Sequence, residues 1–447
     1  MAPKWCEFIV AAALEYDTPK IVHIKSKKVG FINRLIQLAI IAYIVGYVIV
    51  LSKGYQEFDN VISTVTTKVK GVSYTNLSAL DPAVVTVDDT TPYDRLWDVA
   101  DYIIPPQMQN SFFIMTNMIL TVDQTQGTCA EDPGMFGANC TVDDNCKKGE
   151  PVINGNGVMT GNCIDNPEYE GTKSCEILAW CPVEKDIKPG PRLDKPVLYE
   201  AANFTVLLKN SISFPKFGFS KRNILESSNE TFLKECHYDS RDPDLQFCPI
   251  FRLGDIVREA GEDFEKLAFE GGVMGIFIEW NCNLDKSGDE CKPHYKFRRL
   301  DNPTAKIAKG FNFRFAYKYK INETDEYRTL TKAYGILYEV VVTGEAGKFS
   351  VIPLFLNIGS GLALLSLATI MCDIVVLYIL KKREYYREHK YLYVDDLDDA
   401  AGEYREFDKS ENDAPPKPIN QAMEHDMQTM YNSTSDLDGT TRGSSES

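Results

Sequence analysis

Two long apolar stretches constrain the fold of this chain more than any other feature of its sequence. One runs over residues 31–51 and the other over residues 351–380. The hydrocarbon core of a bilayer takes about 20 residues of helix, so each stretch is long enough to cross it. A buried core helix is the alternative, but their length and lipid-like composition disfavour it. The sequence therefore predicts transmembrane helices over residues 30–52 and 351–380.

Basic residues border both stretches on the sides that face the chain termini. They are Lys20, Lys25, Lys27, Lys28 and Arg34 at the first stretch, and Lys381, Lys382, Arg383, Arg387 and Lys390 at the second. Basic flanks stay on the cytosolic side of a membrane. We therefore predict a multi-pass plasma-membrane protein with both termini in the cytosol. Its parts are a cytosolic arm (1–29), an extracellular domain (53–350) and a cytosolic tail (381–447), which is acidic and predicted to be disordered beyond about residue 395.

The cysteines agree with an extracellular position of the central segment. Ten of the twelve lie between residues 129 and 291. An even set within one segment indicates disulfides, which persist in an oxidising compartment. The alternative, a zinc site, is disfavoured because the segment has no C-x₂-C pair. Residues 129–181 are poor in large apolar side chains and hold six of these cysteines, so they predict a cysteine-rich subdomain held together by disulfides.

Glycosylation sequons give a third, independent indication of the same topology. Five N-x-S/T sequences lie inside the predicted extracellular segment. They begin at Asn76, Asn139, Asn203, Asn229 and Asn322. The central segment is therefore predicted to be extracellular and glycosylated.

Alternating apolar and polar residues predict that this domain is mostly β. The predicted strands cover residues 61–72, 203–214, 273–282, 311–321 and 334–343. Residues 251–268 instead have helical spacing, with Ile256, Phe264 and Leu267 on the apolar side.

The second apolar stretch contains polar residues that a plain membrane anchor does not need. Asn357, Gly359 and Ser360 lie in its outer half. Such groups form either a helix-packing face or the lining of a pore. Two helices cannot enclose a pore, so the second interpretation requires an oligomer.

The net charge of −16 argues against nucleic acid as a partner, but it allows a local site for a small anion. Lys68 and Lys70 share one strand face, as do Asn312 and Arg314. Thr205 and Leu207 share another face, and Lys332 lies where a predicted strand begins. On composition alone each set is more often a solvated strand surface. The equally basic Lys296, Arg298 and Arg299 cannot be ranked against them by spacing.

A combination of motifs identifies a family. The chain closely resembles the ionotropic purinergic receptors, which are ATP-gated cation channels. The motifs are YxTxK at 16–20, KVKG at 68–71, NFT at 203–205, FSKRNIL at 219–225, CPIFRLG at 248–254, FRRLD at 297–301, NFRFAYKY at 312–319, NIGSGLALL at 357–365 and YREHK at 386–390. The resemblance implies a homotrimer or heterotrimer with two transmembrane helices per subunit, a large disulfide-rich β domain outside, and ATP sites between subunits.

The resemblance also implies roles for individual residues. Lys68, Lys70, Asn312, Arg314 and Lys332 would hold the triphosphate, Thr205 the adenine, and Leu207, Leu233 and Ile250 would make apolar contacts. Disulfides would join Cys129 to Cys181, Cys140 to Cys163, Cys146 to Cys175, Cys236 to Cys248 and Cys282 to Cys291. The gate would involve Leu356, Asn357 and Ser360, and Tyr386 and Lys390 would form a surface-retention motif. The KFRRLD cluster with Lys296, Arg298 and Arg299 would be structural.

The function implied is a non-selective cation channel that extracellular ATP opens to sodium, potassium and calcium. ATP would be its agonist, and no cofactor, metal or enzymatic activity is expected. The main alternative is an ecto-nucleotidase of the same topology, which needs paired glycine-rich phosphate loops and metal-binding acids. The sequence has no GxxxxGK[ST], HExxH or GxSxG motif. A degenerin-like sodium channel and a scavenger-type receptor are further alternatives.

Overall fold

The computed structural model describes residues 27–80, 85, 87, 89–189, 195–224, 230–321, 325–379 and 383–390. Most of the predicted cytosolic arm and the tail beyond residue 390 lie outside these ranges. The strands are β1 (Gln56–Asn60), β2 (Ile62–Lys70), β3 (Ser73–Thr75), β4 (Arg95–Trp97), β5 (Ser111–Ala130), β6 (Val158–Asp165), β7 (Lys173–Cys181), β8 (Thr205–Phe214), β9 (Phe219–Arg222), β10 (Ile250–Arg252), β11 (Gly272–Asn283), β12 (His294–Arg299), β13 (Asn312–Lys320) and β14 (Glu326–Phe349). The principal helices are α1 (Lys27–Leu51), α2 (Val99–Tyr102), α3 (Glu230–Glu235), α4 (Leu253–Glu259), α5 (Phe264–Glu270), α6 (Val351–Ile379) and α7 (Arg383–Lys390).

Both apolar stretches form helices that are long enough to cross a membrane. The mean hydropathy of the most apolar window is 2.2 in α1 and 2.4 in α6. Only 6% of that window is buried in α1 and 22% in α6. A core helix of a soluble domain would be mostly buried, so these largely exposed apolar surfaces fit lipid contact.

The chain divides into two compact units by its internal contacts. One consists of Met1–Ile41 with Leu362–Ser447, and the other is Ala42–Gly361. In the first unit the Cys372 thiol donates to Asn33 Oδ1 at 3.5 Å. The second unit holds all fourteen strands and every candidate ligand residue.

The strand β14 organises the larger sheet. Eight strands form this sheet, with β12-β11-β14-β5-β7-β6 as its main order. Strands β1 and β13 also pair with β14. The 24 residues of β14 can pair with four strands because β13 and β1 pair with different parts of it. β13 pairs with residues 326–334, and β1 pairs with residues 345–349. Its central residues Ile336 and Tyr338 are fully buried.

A second, four-stranded sheet contains β10, β8 and β2 in that order, with β9 also on β8. Along β8, Val206, Leu208 and Ile212 face the core, while Thr205 and Leu207 are half-buried on the other face. Alternation of this kind is the expected result of a two-residue strand period. The core between the sheets is rich in large side chains, among them Trp280, Phe251 and Phe214.

The structure contains strands that were not predicted, among them β5, and it differs from two of the predictions that were made. The helical spacing over residues 251–268 predicted one helix, and this was wrong: α4 and α5 are separated at Gly261, whose φ is +79°. A residue with positive φ ends an α-helix, and glycine adopts it without steric cost. The strand predicted over residues 334–343 is also too short, because β14 continues to Phe349.

Five disulfides cross-link the extracellular domain. They join Cys129 to Cys181, Cys140 to Cys163, Cys146 to Cys175, Cys236 to Cys248 and Cys282 to Cys291, which are the pairs that the resemblance implies. Three of them lie within residues 129–181, where the buried apolar cluster consists of only Ala138, Val152 and Ile177. Cross-links there compensate for a small core.

The strands β1 and β14 connect the extracellular sheet directly to the two long helices. β1 begins shortly after α1, and Ser350 alone separates β14 from α6. Asp285 holds the two strands together, since its carboxylate accepts hydrogen bonds from Gln56 Nε2 and from the Phe349 backbone N–H, each at 2.5 Å. A displacement of β14 would therefore act on both helices.

Candidate functional site

The candidate ligand residues fall into two groups on different sheets. The first group lies on the four-stranded sheet, where Lys68 is opposite Leu207, Lys70 is opposite Thr205, and Ile250 is opposite Leu207. Strand register therefore brings two cations, a hydroxyl and two apolar side chains together. Lys68 and Lys70 are exposed, and neither has an ion pair or side-chain hydrogen bond within the described residues. This arrangement can bind an anion beside a flat, partly apolar group.

The second group lies on the hairpin of β13 and β14 in the larger sheet. Arg314 is directly opposite Lys332, and Asn312 is opposite Tyr334. Asn312 and Arg314 share the exposed face of β13. Arg314 offers a planar guanidinium fork, whereas the lysine is a point charge, so the pair suits phosphate oxygens.

Two acidic residues already contact this second group. Glu184 accepts two hydrogen bonds from Arg314, at 2.8 and 2.9 Å. Asp186 accepts one from Lys332 at 2.6 Å and one from the Tyr334 hydroxyl at 3.3 Å. Glu184 and Lys332 are nearly buried, with 7% and 8% of their side chains exposed. The carboxylates thus accept the hydrogen bonds of the same cations that are the candidates for binding phosphate.

Ion pairing shifts the pKa of Asp186 and of Arg314 in directions that favour their charged forms. Burial would raise the pKa of the Asp186 carboxyl, but the hydrogen bond and charge of Lys332 outweigh it and hold that pKa below its ordinary value. The hydrogen bonds to Glu184 raise the pKa of Arg314. A ligand must therefore displace charged partners rather than enter an empty pocket.

Sequence reasoning missed Glu184 and Asp186. They follow Cys181 in the segment CPVEKD, and Glu184 is separated from Arg314 by 130 positions. No local pattern couples residues at such a distance. The only available signal was the presence of two acids next to a predicted disulfide.

Leu233 lies on a short helix and not on a strand of either sheet. It is half-buried on α3, close to the disulfide between Cys236 and Cys248. Its assignment to the ligand site therefore stays a prediction from the resemblance.

The pore residues of α6 have different surroundings. Leu356 is 68% exposed and Ser360 is also exposed. Asn357 instead donates from Nδ2 to the backbone oxygen of Gly54 at 2.6 Å. Gly54 follows the end of α1, and the role of Asn357 in a gate stays a prediction from the resemblance. The candidate retention residues Tyr386 and Lys390 lie on α7, and their side chains lie outside the description.

Three of the five sequon asparagines lie within the described residues. Asn76, Asn139 and Asn203 are all exposed, as a glycan requires. Asn229 and Asn322 lie outside the described residues.

The basic FRRLD cluster has a structural environment around Arg299. This guanidinium is 9% exposed and pairs with Asp301 at 2.8 Å and with Glu262 at 3.0 Å. Lys296, by contrast, is 64% exposed and pairs with Glu279. Loss of Arg299 would therefore leave two carboxylates without this partner, whereas loss of Lys296 would affect only Glu279.

We expect Arg299→Ala to reduce surface expression strongly, because it leaves two partly buried carboxylates without a cation. Breaking such a buried pair costs about 3–5 kcal/mol. Lys296→Ala removes an exposed pair worth about 0.2–1 kcal/mol and serves as the matched control. Surface biotinylation measures both, and equal expression of the two variants would contradict the structural role of Arg299.

The chain is similar in sequence to proteins of one family. The model of the family described as ATP P2X receptor matches residues 14–393. The chain is 51% identical over 406 residues to P2X purinoceptor 4 of Bos taurus, covering 90% of this chain and 99% of that protein. It is 47% identical over 405 residues to P2X purinoceptor 5 of Homo sapiens, covering 90% of this chain and 87% of that protein.

Two solved structures are similar to the chain. One is an invertebrate P2X receptor from the Gulf Coast tick, crystallised in the presence of ATP and Zn²⁺, with 46% identity, a TM-score of 0.70, and 77% of this chain and 100% of that chain covered. The other is the chicken ATP-gated P2X7 receptor channel with the competitive antagonist TNP-ATP, with 39% identity, a TM-score of 0.66, and 78% and 99% covered.

Proposed function

This chain belongs to the ATP P2X receptor family, and on that premise we propose that it is a cation channel opened by extracellular ATP. The observation that carries the proposal is the presence of two complementary half-sites on separate sheets. One offers Lys68, Lys70 and the Thr205 hydroxyl, and the other offers Arg314 and Lys332. Together they supply four cations for a triphosphate and a hydroxyl for the adenine.

The channel is a trimer in this proposal, and each ATP site lies between two subunits. The half-sites lie on different sheets, and this supports the proposal: within the described residues no strand pairing connects the β2–β8–β10 sheet with the β13–β14 hairpin. ATP would then draw the half-sites of neighbouring subunits together. Both termini would be cytosolic, and Leu356 and Ser360 of α6 would face the pore.

Opening follows from the continuity of β14. Lys332 and the first residue of α6 belong to one continuous segment, and β1 pairs with the end of β14 that leads into the membrane. ATP can shift the closed–open equilibrium only by the difference between its affinities for the two arrangements of the half-sites. Glu184 and Asp186 stabilise the resting arrangement by pairing with the cations that ATP needs.

The deciding experiment records membrane current and nucleotide hydrolysis on the same cells that express the full chain. We expect ATP to evoke an inward cation current at negative potential without release of phosphate above that of untransfected cells. Hydrolysis without current would instead establish the ecto-nucleotidase alternative.

We expect Glu184→Gln to increase the sensitivity to ATP severalfold. Glutamine keeps the shape of the side chain but removes the charge that competes with phosphate for Arg314. Glu168→Gln is the matched control, since Glu168 pairs with Lys185 in the same part of the chain. The measurement is the half-maximal ATP concentration, and an unchanged or higher value in Glu184→Gln alone would contradict the competition.

A further inference from the structure

The hairpin face that carries Arg314 and Lys332 also carries two other cations. Lys318 lies on the face of β13 that Arg314 occupies, and Arg328 lies on the face of β14 that Lys332 occupies, because strand side chains alternate. Lys318 is directly opposite Arg328, just as Arg314 is opposite Lys332. We call Arg314 and Lys332 the inner pair, and Lys318 and Arg328 the outer pair. The two pairs are four positions apart along each strand, about 13 Å along the backbone.

One segment, residues 180–186, contacts both pairs but with different chemistry. Its carboxylates Glu184 and Asp186 neutralise the inner pair. At the outer pair it presents the ring of Trp180 instead. The Arg328 guanidinium carbon lies 4.5 Å from the ring centroid, and Lys318 Nζ lies 5.3 Å from it. An aromatic face attracts a cation without neutralising it, so the charge of Arg328 stays uncompensated. Lys318 also pairs with the carboxylate of Glu326 at 3.4 Å.

Arg328 is half-buried and has no carboxylate partner within the described residues. Its Nε donates to Oε1 of the buried Gln124 at 2.7 Å, and its two terminal nitrogens make no hydrogen bond in the part of the chain that the structure describes. Burial lowers the pKa of this guanidinium. Arg299 has a similar burial and two carboxylates. A partly desolvated cation without a counter-charge is costly unless an anion binds it.

We propose that the outer pair and Trp180 form a second anion subsite, which takes phosphate groups beyond the third of a longer polyphosphate chain. This inference rests on the proposed function, because it continues the line of the inner pair. The planar fork of Arg328 suits phosphate oxygens, and its orientation is held by Trp180 and Gln124. Within the described residues no carboxylate pairs with Arg328, so a phosphate can bind its guanidinium without displacing one, whereas at Lys318 it competes with the exposed Glu326.

The test compares adenosine 5′-pentaphosphate with ATP on cells that express the full receptor. The variant is Arg328→Gln, whose amide can still pack on Trp180. We expect the potency of the pentaphosphate relative to ATP to fall about tenfold in this variant, because one charge-assisted contact is lost. The half-maximal concentration of ATP itself should change less than about twofold. Lys306→Gln, which removes one exposed charge of a loop, should leave the ratio unchanged.

Inorganic pentaphosphate distinguishes the source of the phosphate. If it competes with ATP on the unmodified receptor and Arg328→Gln weakens this competition, free polyphosphate also uses the subsite; if it does not compete, the subsite serves nucleotides alone. An unchanged pentaphosphate-to-ATP ratio in a normally expressed Arg328→Gln, or equal shifts for both nucleotides, would overturn the subsite while leaving the channel intact. Absence of any ATP current from the unmodified receptor would instead overturn the proposed function.

Discussion

Replacing Lys70 by alanine is expected to move the ATP concentration–response curve to roughly ten- to over a hundredfold higher concentrations. A charge-assisted hydrogen bond to phosphate contributes about 1.5–3 kcal/mol when it is shielded from water, which corresponds to that range. Lys70 is exposed and has no ion pair or side-chain hydrogen bond within the described residues, so its loss leaves nothing unpaired in the resting protein.

Lys70 is for that reason a sharper test than Lys332. Lys332→Ala would remove a nearly buried cation beside the nearly buried Glu184, so the fold and the site would be damaged together. The control is Lys306→Ala, which removes the same charge from an exposed loop. Whole-cell current and surface biotinylation are measured on each variant. Normal ATP sensitivity of Lys70→Ala at normal expression would remove Lys70 from the phosphate site.

A receptor with cysteines at both Lys68 and Asn312 is expected to form covalent dimers and trimers when treated with a membrane-impermeant bismaleimide. The two positions are exposed and belong to different half-sites. A disulfide needs Cα atoms about 4.4–6.8 Å apart, whereas residues on two sides of a triphosphate are farther apart, so a bridging reagent is required. If the half-sites meet between subunits, each bridge joins two chains.

Each single variant, Lys68→Cys or Asn312→Cys, should remain monomeric on a denaturing gel. Both retain the chain's other cysteines, including Cys372, so they control for reaction elsewhere. A double variant that reacts fully yet runs only as a monomer would place the site within one chain and defeat the intersubunit proposal.

Several features of this protein follow from short-range patterns in the sequence. The two membrane helices were predictable because bilayer thickness sets a minimum apolar length, and residues 31–51 and 351–380 exceed it. Strand alternation alone predicts that Lys68 and Lys70 share one face and that Asn312 and Arg314 share another. The identities of the candidate ATP residues came from the resemblance to a family, because spacing could not rank them above Lys296 or Arg298.

The tertiary structure decided which of these local features meet. It placed Thr205 opposite Lys70 and Lys332 opposite Arg314, and it brought Glu184 to Arg314 and Trp180 to Arg328. It also ended a predicted helix at Gly261 and extended β14 as far as α6. Periodicity reports only which side of an element a residue occupies, because it is a property of neighbouring positions. Contacts between residues more than a hundred positions apart depend on the path of the whole chain through both sheets, and no local pattern encodes that path.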